Sequence, residues 1–176
     1  MNTQIISLLR RAYGLLVAGA SLLQCPLLLV IRLYWGWQMF VSGHAHLTHV
    51  PAMVKNFQDW GVPFPTVNVY ISGLTECVCG LLLLIGFASR LITIPLIINF
   101  CVAYLTAGHK DLVNIFNDPD SFVSNSAFLF LLASVIVFVF GPGLFSVDAI
   151  LKKVWAPAPN PDGVPVSDSV TSLKPR

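Results

Sequence analysis

Apolar residues fill the chain in four long runs, with short polar or Gly/Pro-rich stretches between them. The runs cover about residues 25–46, 66–87, 91–107 and 122–140. Each comes near the ~20 residues that a helix needs to cross ~30 Å of hydrocarbon, the third being shortest. The pattern predicts four spanning helices. Pro26 suits the first turn of a helix that starts at Cys25, where a missing N–H costs nothing. Between the second and third runs only Ala88 and Ser89 precede Arg90, so those two helices are expected to be antiparallel neighbours.

The flanking segments read differently. In residues 1–24, Ile5, Ile6, Leu9, Tyr13 and Leu16 fall near one helical face, with Arg10 and Arg11 between apolar neighbours. This predicts an amphipathic helix on the membrane surface, or an extension of the first span. A cleaved leader and a further span are the lesser readings, with no convincing small-x-small cleavage site before Pro26. His49 to Gly61 places Val50, Met53, Val54 and Phe57 on one side and ends near Trp60, the pattern of a short interfacial helix. His109 to Ser121 is rich in Asn and Asp and reads as a solvated loop. Gly141-Pro142-Gly143 stops the fourth helix, and Ser146 caps a short segment with Asp148 in its first turn. Residues 155–176 are rich in Pro, Asp and Ser and read as a disordered tail. The expected fold is therefore an all-α membrane protein. It is a four-helix transmembrane bundle over residues 25–154, with an N-terminal amphipathic helix and short interfacial helices.

Composition agrees. Of 176 residues, 56% are hydrophobic and 10% charged, against about 25% charged in soluble domains. The formal net charge of +2 is too small to suggest nucleic acid as a partner. The bilayer is the expected partner. Placement of charge sets the orientation. Arg10, Arg11, Arg90, Lys152 and Lys153 gather on one side, and Lys55 and Lys110 stand alone on the other. The positive-inside rule then puts both termini in the cytoplasm of a multi-pass protein. Four cysteines, Cys25, Cys77, Cys79 and Cys101, lie in apolar segments with no CxxC or metal spacing. They read as small apolar side chains.

Against this background the polar residues inside the spans stand out. Glu76 lies near the centre of the second run, where a carboxylate carries a penalty of roughly 2.5 to 3.5 kcal/mol. Counting depth from the run ends puts Arg32 of the first span and Asn99 of the third near its level, and predicts an Arg32–Glu76 ion pair. Gly36, Gly43, Gly73 and Gly80 flank these residues at helical spacing and read as packing positions that let helices approach. His44, His46 and His49 cluster at the end of the first span without enough further ligands for a metal. His46 is the one expected to hydrogen-bond or exchange a proton. Arg32, Glu76, Asn99 and His46 are thus the candidate ligand or proton site. A register-fixing ion pair is the structural alternative.

The order Arg32-x3-Gly36-x6-Gly43-x2-His46, Gly73-x2-Glu76-x3-Gly80, Gly86-x3-Arg90 and Gly141-Pro142-Gly143-x2-Ser146-Val147-Asp148 resembles the DoxX/DoxD family. The resemblance covers about residues 27–150. It implies a small multi-pass protein of the bacterial or archaeal plasma membrane, associated with quinone-linked or thiol and oxidative-stress redox systems. It departs at His46, where the family usually carries lysine. The chain has no flavin, haem or iron–sulfur motif, so no intrinsic cofactor is expected. A quinone is the candidate bound carrier, and a protein partner would supply the electrons. Self-association is open. The competing readings are a non-enzymatic anchor or assembly component, and a small proton-coupled transporter with Glu76 as its protonation site.

Overall fold

A computed structural model describes the backbone of residues 3–155 and the side chains of residues 9–155. The expected tail lies outside the described residues, apart from Trp155. Eight helices and no strand occur among the described residues: α1 (Thr3–Thr48), α2 (Val50–Asp59), α3 (Pro65–Ile85), α4 (Ser89–Thr106), α5 (His109–Val113), α6 (Pro119–Ser124), α7 (Ser126–Phe140) and α8 (Val147–Trp155). Three of them, α1, α3 and α4, are long and apolar enough to cross a membrane. The chain is an all-helical membrane protein.

Helix α1 departs most from the expected bounds. Its 46 residues run through Pro26 without a break, about 69 Å at ~1.5 Å per residue. Pro26 is therefore an interior residue and not a first-turn one. Only its own N–H is missing from the ladder, and neighbouring apolar positions continue the helix on both sides. Residues Leu9 to Leu23 carry exposed Leu15, Leu16, Leu22 and Leu23, and touch little else of the described protein.

Below that extension α1 packs antiparallel on α3 through glycines. A Cβ on Gly43 would stand 2.5 Å from the Cys77 backbone nitrogen and 2.6 Å from the Gly73 oxygen. One on Gly36 would stand 3.0 Å from the Gly80 oxygen. Backbones this close exclude any side chain, which is how helices gain van der Waals contact where no hydrophobic force drives them together. Helix α4 packs antiparallel on α7. Arg90 at its start donates to the Val139 oxygen at 3.3 Å, and Tyr104 near its end donates to the Phe122 oxygen at 3.2 Å. Leu83, Leu96, Phe100, Phe130 and Val137 form the core between the two pairs.

The expected solvated loop at His109–Ser121 is partly helical, and the fourth apolar run begins later than its composition suggests. Asn125 breaks it with an extended backbone, ψ 127°, and caps α7 by accepting from the Ala127 N–H at 3.0 Å. Its amide nitrogen donates to Asp111 Oδ2 at 2.7 Å. Helix α7 is left with 15 residues.

Candidate functional site

Glu76 is 3% exposed, on the face of α3 that turns toward α1 and α4. Its position follows from the glycine seam. Gly73 and Gly80 bracket it one turn to either side, so the carboxylate must point into the interior of the helix group. Ser72, one turn earlier on the same face, donates its hydroxyl to Glu76 Oε1 at 3.0 Å. Asn99 of α4 donates its amide to the same oxygen at 3.0 Å. His46 of α1 brings Nδ1 to 3.8 Å from Oε1, beyond hydrogen-bond reach.

Two atoms of this group have no partner. Glu76 Oε2 and His46 Nδ1 are buried and make no hydrogen bond among the described residues. Unsatisfied buried polar atoms are rare because each forfeits its hydration without return, about 1–3 kcal/mol and more for a charged group. Both residues, with Ser72 and Asn99, line a cavity of about 590 Å³. Its walls are Phe57 and Trp60 of the α2 segment, Phe100 of α4 and Phe130 of α7. Phe57 packs edge-on to His46 at 6.0 Å, and Phe100 lies 5.1 Å from Phe130. The mouth is at the end of the molecule that carries α2, α5 and α6, with Asn68, Thr106 and Asn125 around it. Apolar flat walls with a few convergent polar groups are the usual form of a small-molecule pocket.

Of the residues singled out from sequence, the structure brings Glu76, Asn99 and His46 together and sets Arg32 apart. Arg32 is 1% exposed, yet no carboxylate lies within ion-pair distance among the described residues. Its Nε donates to the Leu83 oxygen at 3.1 Å, and one terminal nitrogen reaches the Leu84 oxygen at 3.4 Å. The other donates to the oxygens of Pro142 and of Phe145, the latter at 3.1 Å. The cation thus closes the carbonyl end of α3, where the helix dipole is negative, and ties it to the Gly-Pro-Gly turn. The expected Arg32–Glu76 pair is corrected by register. With Gly36 against Gly80 and Leu84, and Gly43 against Gly73 and Cys77, Glu76 lies level with residues near Ser42. That is ten residues from Arg32, about 15 Å along the helix, too far for a guanidinium. The depth count took Cys25 as the start of the helix, and α1 has no such start.

Asp148 is the other half of this end. Its two oxygens accept from the backbone N–H groups of Ala88 at 2.6 Å and Ser89 at 2.9 Å, while its own N–H donates to the Gly86 oxygen at 3.0 Å. It caps α4 across the chain, in addition to sitting in the first turn of α8. Gly86, at φ +72°, turns the chain where a Cβ would stand 2.5 Å from Arg32.

Sequence reasoning missed Ser72 and all four aromatic walls. Ser72 was findable, since it lies four residues before Glu76 and so on its face. The walls come from α2, α4 and α7, and no spacing within one segment connects them. Tyr34, Trp37 and Tyr70 are exposed on the outside of the helices and do not line the cavity. Among the described residues no group of three or more His, Cys, Asp or Glu could hold a metal ion.

The DoxX family model matches residues 27–109, from the middle of α1 to the start of α5. That stretch carries Arg32, His46, Glu76 and Asn99, and the resemblance read from their spacing is borne out there. No curated protein and no solved structure matches the chain.

Proposed function

Given a DoxX domain over residues 27–109, we propose that the protein is an integral membrane subunit of a redox system that holds a lipid-soluble carrier of the quinone type in the Glu76 cavity. The observation that carries this is the pair of buried atoms, Glu76 Oε2 and His46 Nδ1, left without hydrogen-bond partners in two residues that line an aromatic-walled cavity. A quinone ring fits such walls, and its two oxygenated edges offer the acceptor or donor that these atoms lack. When bound, it supplies two-electron, two-proton chemistry. The chain's own residues bind and orient. Glu76 accepts a hydrogen bond through Oε2, His46 offers Nδ1, and Asn99 and Ser72 hold the carboxylate still. Phe57 and Trp60 cover the mouth. A partner protein delivers the electrons.

In this reading α7 is a fourth crossing. At 15 residues it spans about 22 Å, and a thinned bilayer or the polar cap at Asn125 takes up the difference. Both termini then face the cytoplasm of a bacterial or archaeal plasma membrane, and the cavity opens to the opposite side.

The test is co-purification. Protein extracted in mild detergent is expected to retain a prenyl quinone detectable by mass spectrometry, and added quinone should raise its melting temperature. Glu76→Gln should abolish that rise while the protein still folds. Wild-type protein that retains no quinone and melts independently of it leaves the anchor or assembly role. A second reading, a proton-coupled transporter, draws on the 3.8 Å approach of His46 to Glu76. It requires a pH gradient to drive uptake into vesicles, and E76Q to stop it.

A further inference from the structure

A second cavity, of about 650 Å³, lies at the far end of the molecule from Glu76, under the Gly141–Gly143 turn and α8. Two cations line it, Arg90 at the start of α4 and Lys152 on α8, and Lys153 follows. Its one carboxylate, Asp148, has each oxygen already taken by a backbone N–H, of Ala88 and of Ser89. Two cations against one carboxylate leave the cavity lining net positive, and Arg32, buried just behind the turn, adds to the field.

Arg90 is placed to receive an anion. One terminal nitrogen donates to the Val139 oxygen at 3.3 Å, which fixes the guanidinium across the end of α7. Its other nitrogens have no hydrogen-bond partner among the described residues. The plane passes 3.5 Å from where a Cβ on Gly141 would stand, so the glycine leaves it room. Around these charges the surface is apolar. Leu91 is 69% exposed, Leu144 72% and Trp155 84%. Helix α8 shows Ile150 and Val154 to the outside, one on either side of its two lysines. Cations set among exposed aliphatic side chains and a terminal tryptophan match the boundary between headgroup and acyl chain.

We propose that this cavity seats the phosphate headgroup of an anionic phospholipid, with Arg90 and Lys152 on the phosphate, Trp155 at the glycerol level and an acyl chain along Leu91 and Phe140. A basic recess at the edge of a helix bundle recognises charge and apolar chain together, which separates a lipid from a soluble anion. The site is independent of the ligand at Glu76.

The experiment uses the full chain in nonionic detergent, titrated with phosphatidylglycerol, phosphatidylcholine or inorganic phosphate and read by native mass spectrometry. Phosphatidylglycerol should bind more tightly than phosphatidylcholine. Each basic residue near an anionic headgroup contributes about fivefold in affinity, so the R90Q/K152Q double variant should lose roughly 20- to 30-fold. The conservative R90K/K152R variant should keep most of it. If Arg90 substitutions fail to fold, K152Q alone on the exposed face of α8 should lose about fivefold. Equal binding of the two lipids, an unaffected K152Q, or inorganic phosphate displacing the lipid at millimolar concentration would each overturn the proposal.

Discussion

At the scale of single residues, two buried charges solve the same problem in different ways. Arg32 spreads its charge over four carbonyl oxygens, two at the end of α3 and two in the turn between α7 and α8. A lysine cannot reach them in that planar fork. Arg32→Lys should therefore lower stability by about 2–4 kcal/mol, several weakened charged hydrogen bonds at ~1 kcal/mol or more each, measured by thermal melting in detergent. Loss of quinone binding need not follow, because the cavity is a turn-for-turn distance away. Glu76 has one oxygen satisfied twice and the other not at all. Glu76→Gln keeps the shape and an acceptor for Ser72 and Asn99 while removing the charge. We expect stability within about 1 kcal/mol of wild type or above it, with carrier binding at least tenfold weaker. A variant that unfolds would show that the carboxylate is structural.

At the scale of elements, the α1–α3 seam is set by backbone approach. Gly43→Ala pushes a Cβ against backbone atoms at 2.5 and 2.6 Å that cannot give way, whereas Gly36→Ala meets them at 3.0 Å and Gly14 has nothing within 4 Å. Melting temperatures should rank G43A lowest, G36A intermediate and G14A near wild type, with G43A costing about 1–3 kcal/mol or more. The α3–α4 turn offers the opposite change. Ala88 sits at φ +48°, a left-handed conformation that costs a non-glycine residue about 1–2 kcal/mol. Asp148 holds it there through two N–H groups. Ala88→Gly should stabilise the protein by up to about 1 kcal/mol, less the entropy that glycine adds to the unfolded chain. In the α5–α7 segment, Asp111 accepts from Asn125 and Ser121, which hold its carboxyl below the usual carboxylate value against a smaller opposing effect of burial. A depressed folded pKa means that its contribution is complete above about 3.9, the unfolded value, and is lost as pH falls through the lower folded one. Asp111→Asn should remove that contribution, lowering the melting temperature above about pH 3.9 and flattening the acid limb, with little change below the folded pKa.

At the scale of the whole molecule, the chain has two ends of distinct chemistry. One carries the aromatic mouth over Glu76, and the other the Arg32–Asp148 fastening and the cations around Gly141. If four helices cross, a single cysteine at Asn114 and one at Lys152 should react with an impermeant thiol reagent from opposite sides of intact cells. Labelling from the same side would mean that α7 does not traverse the bilayer.

The sequence alone determined the long apolar helices and their lipid environment, and it singled out Glu76, Asn99 and His46, which the fold brings together. Runs of apolar residues and an isolated carboxylate are local properties, and the energy of placing them in hydrocarbon does not depend on what they later touch. Family resemblance was legible for the same reason, because it rests on spacing along the chain. Register was not legible. Which turn of α1 faces Glu76 depends on how closely Gly36 and Gly43 let two backbones meet, and that distance decided against Arg32 as the partner. Asp148 capping a helix that starts sixty residues earlier, and Asn125 cutting the last apolar run short, are likewise satisfactions of backbone groups by side chains remote in sequence. Only the folded arrangement brings donor and acceptor together, so only it could show which charges are spent on the fold and which oxygen is left without a partner.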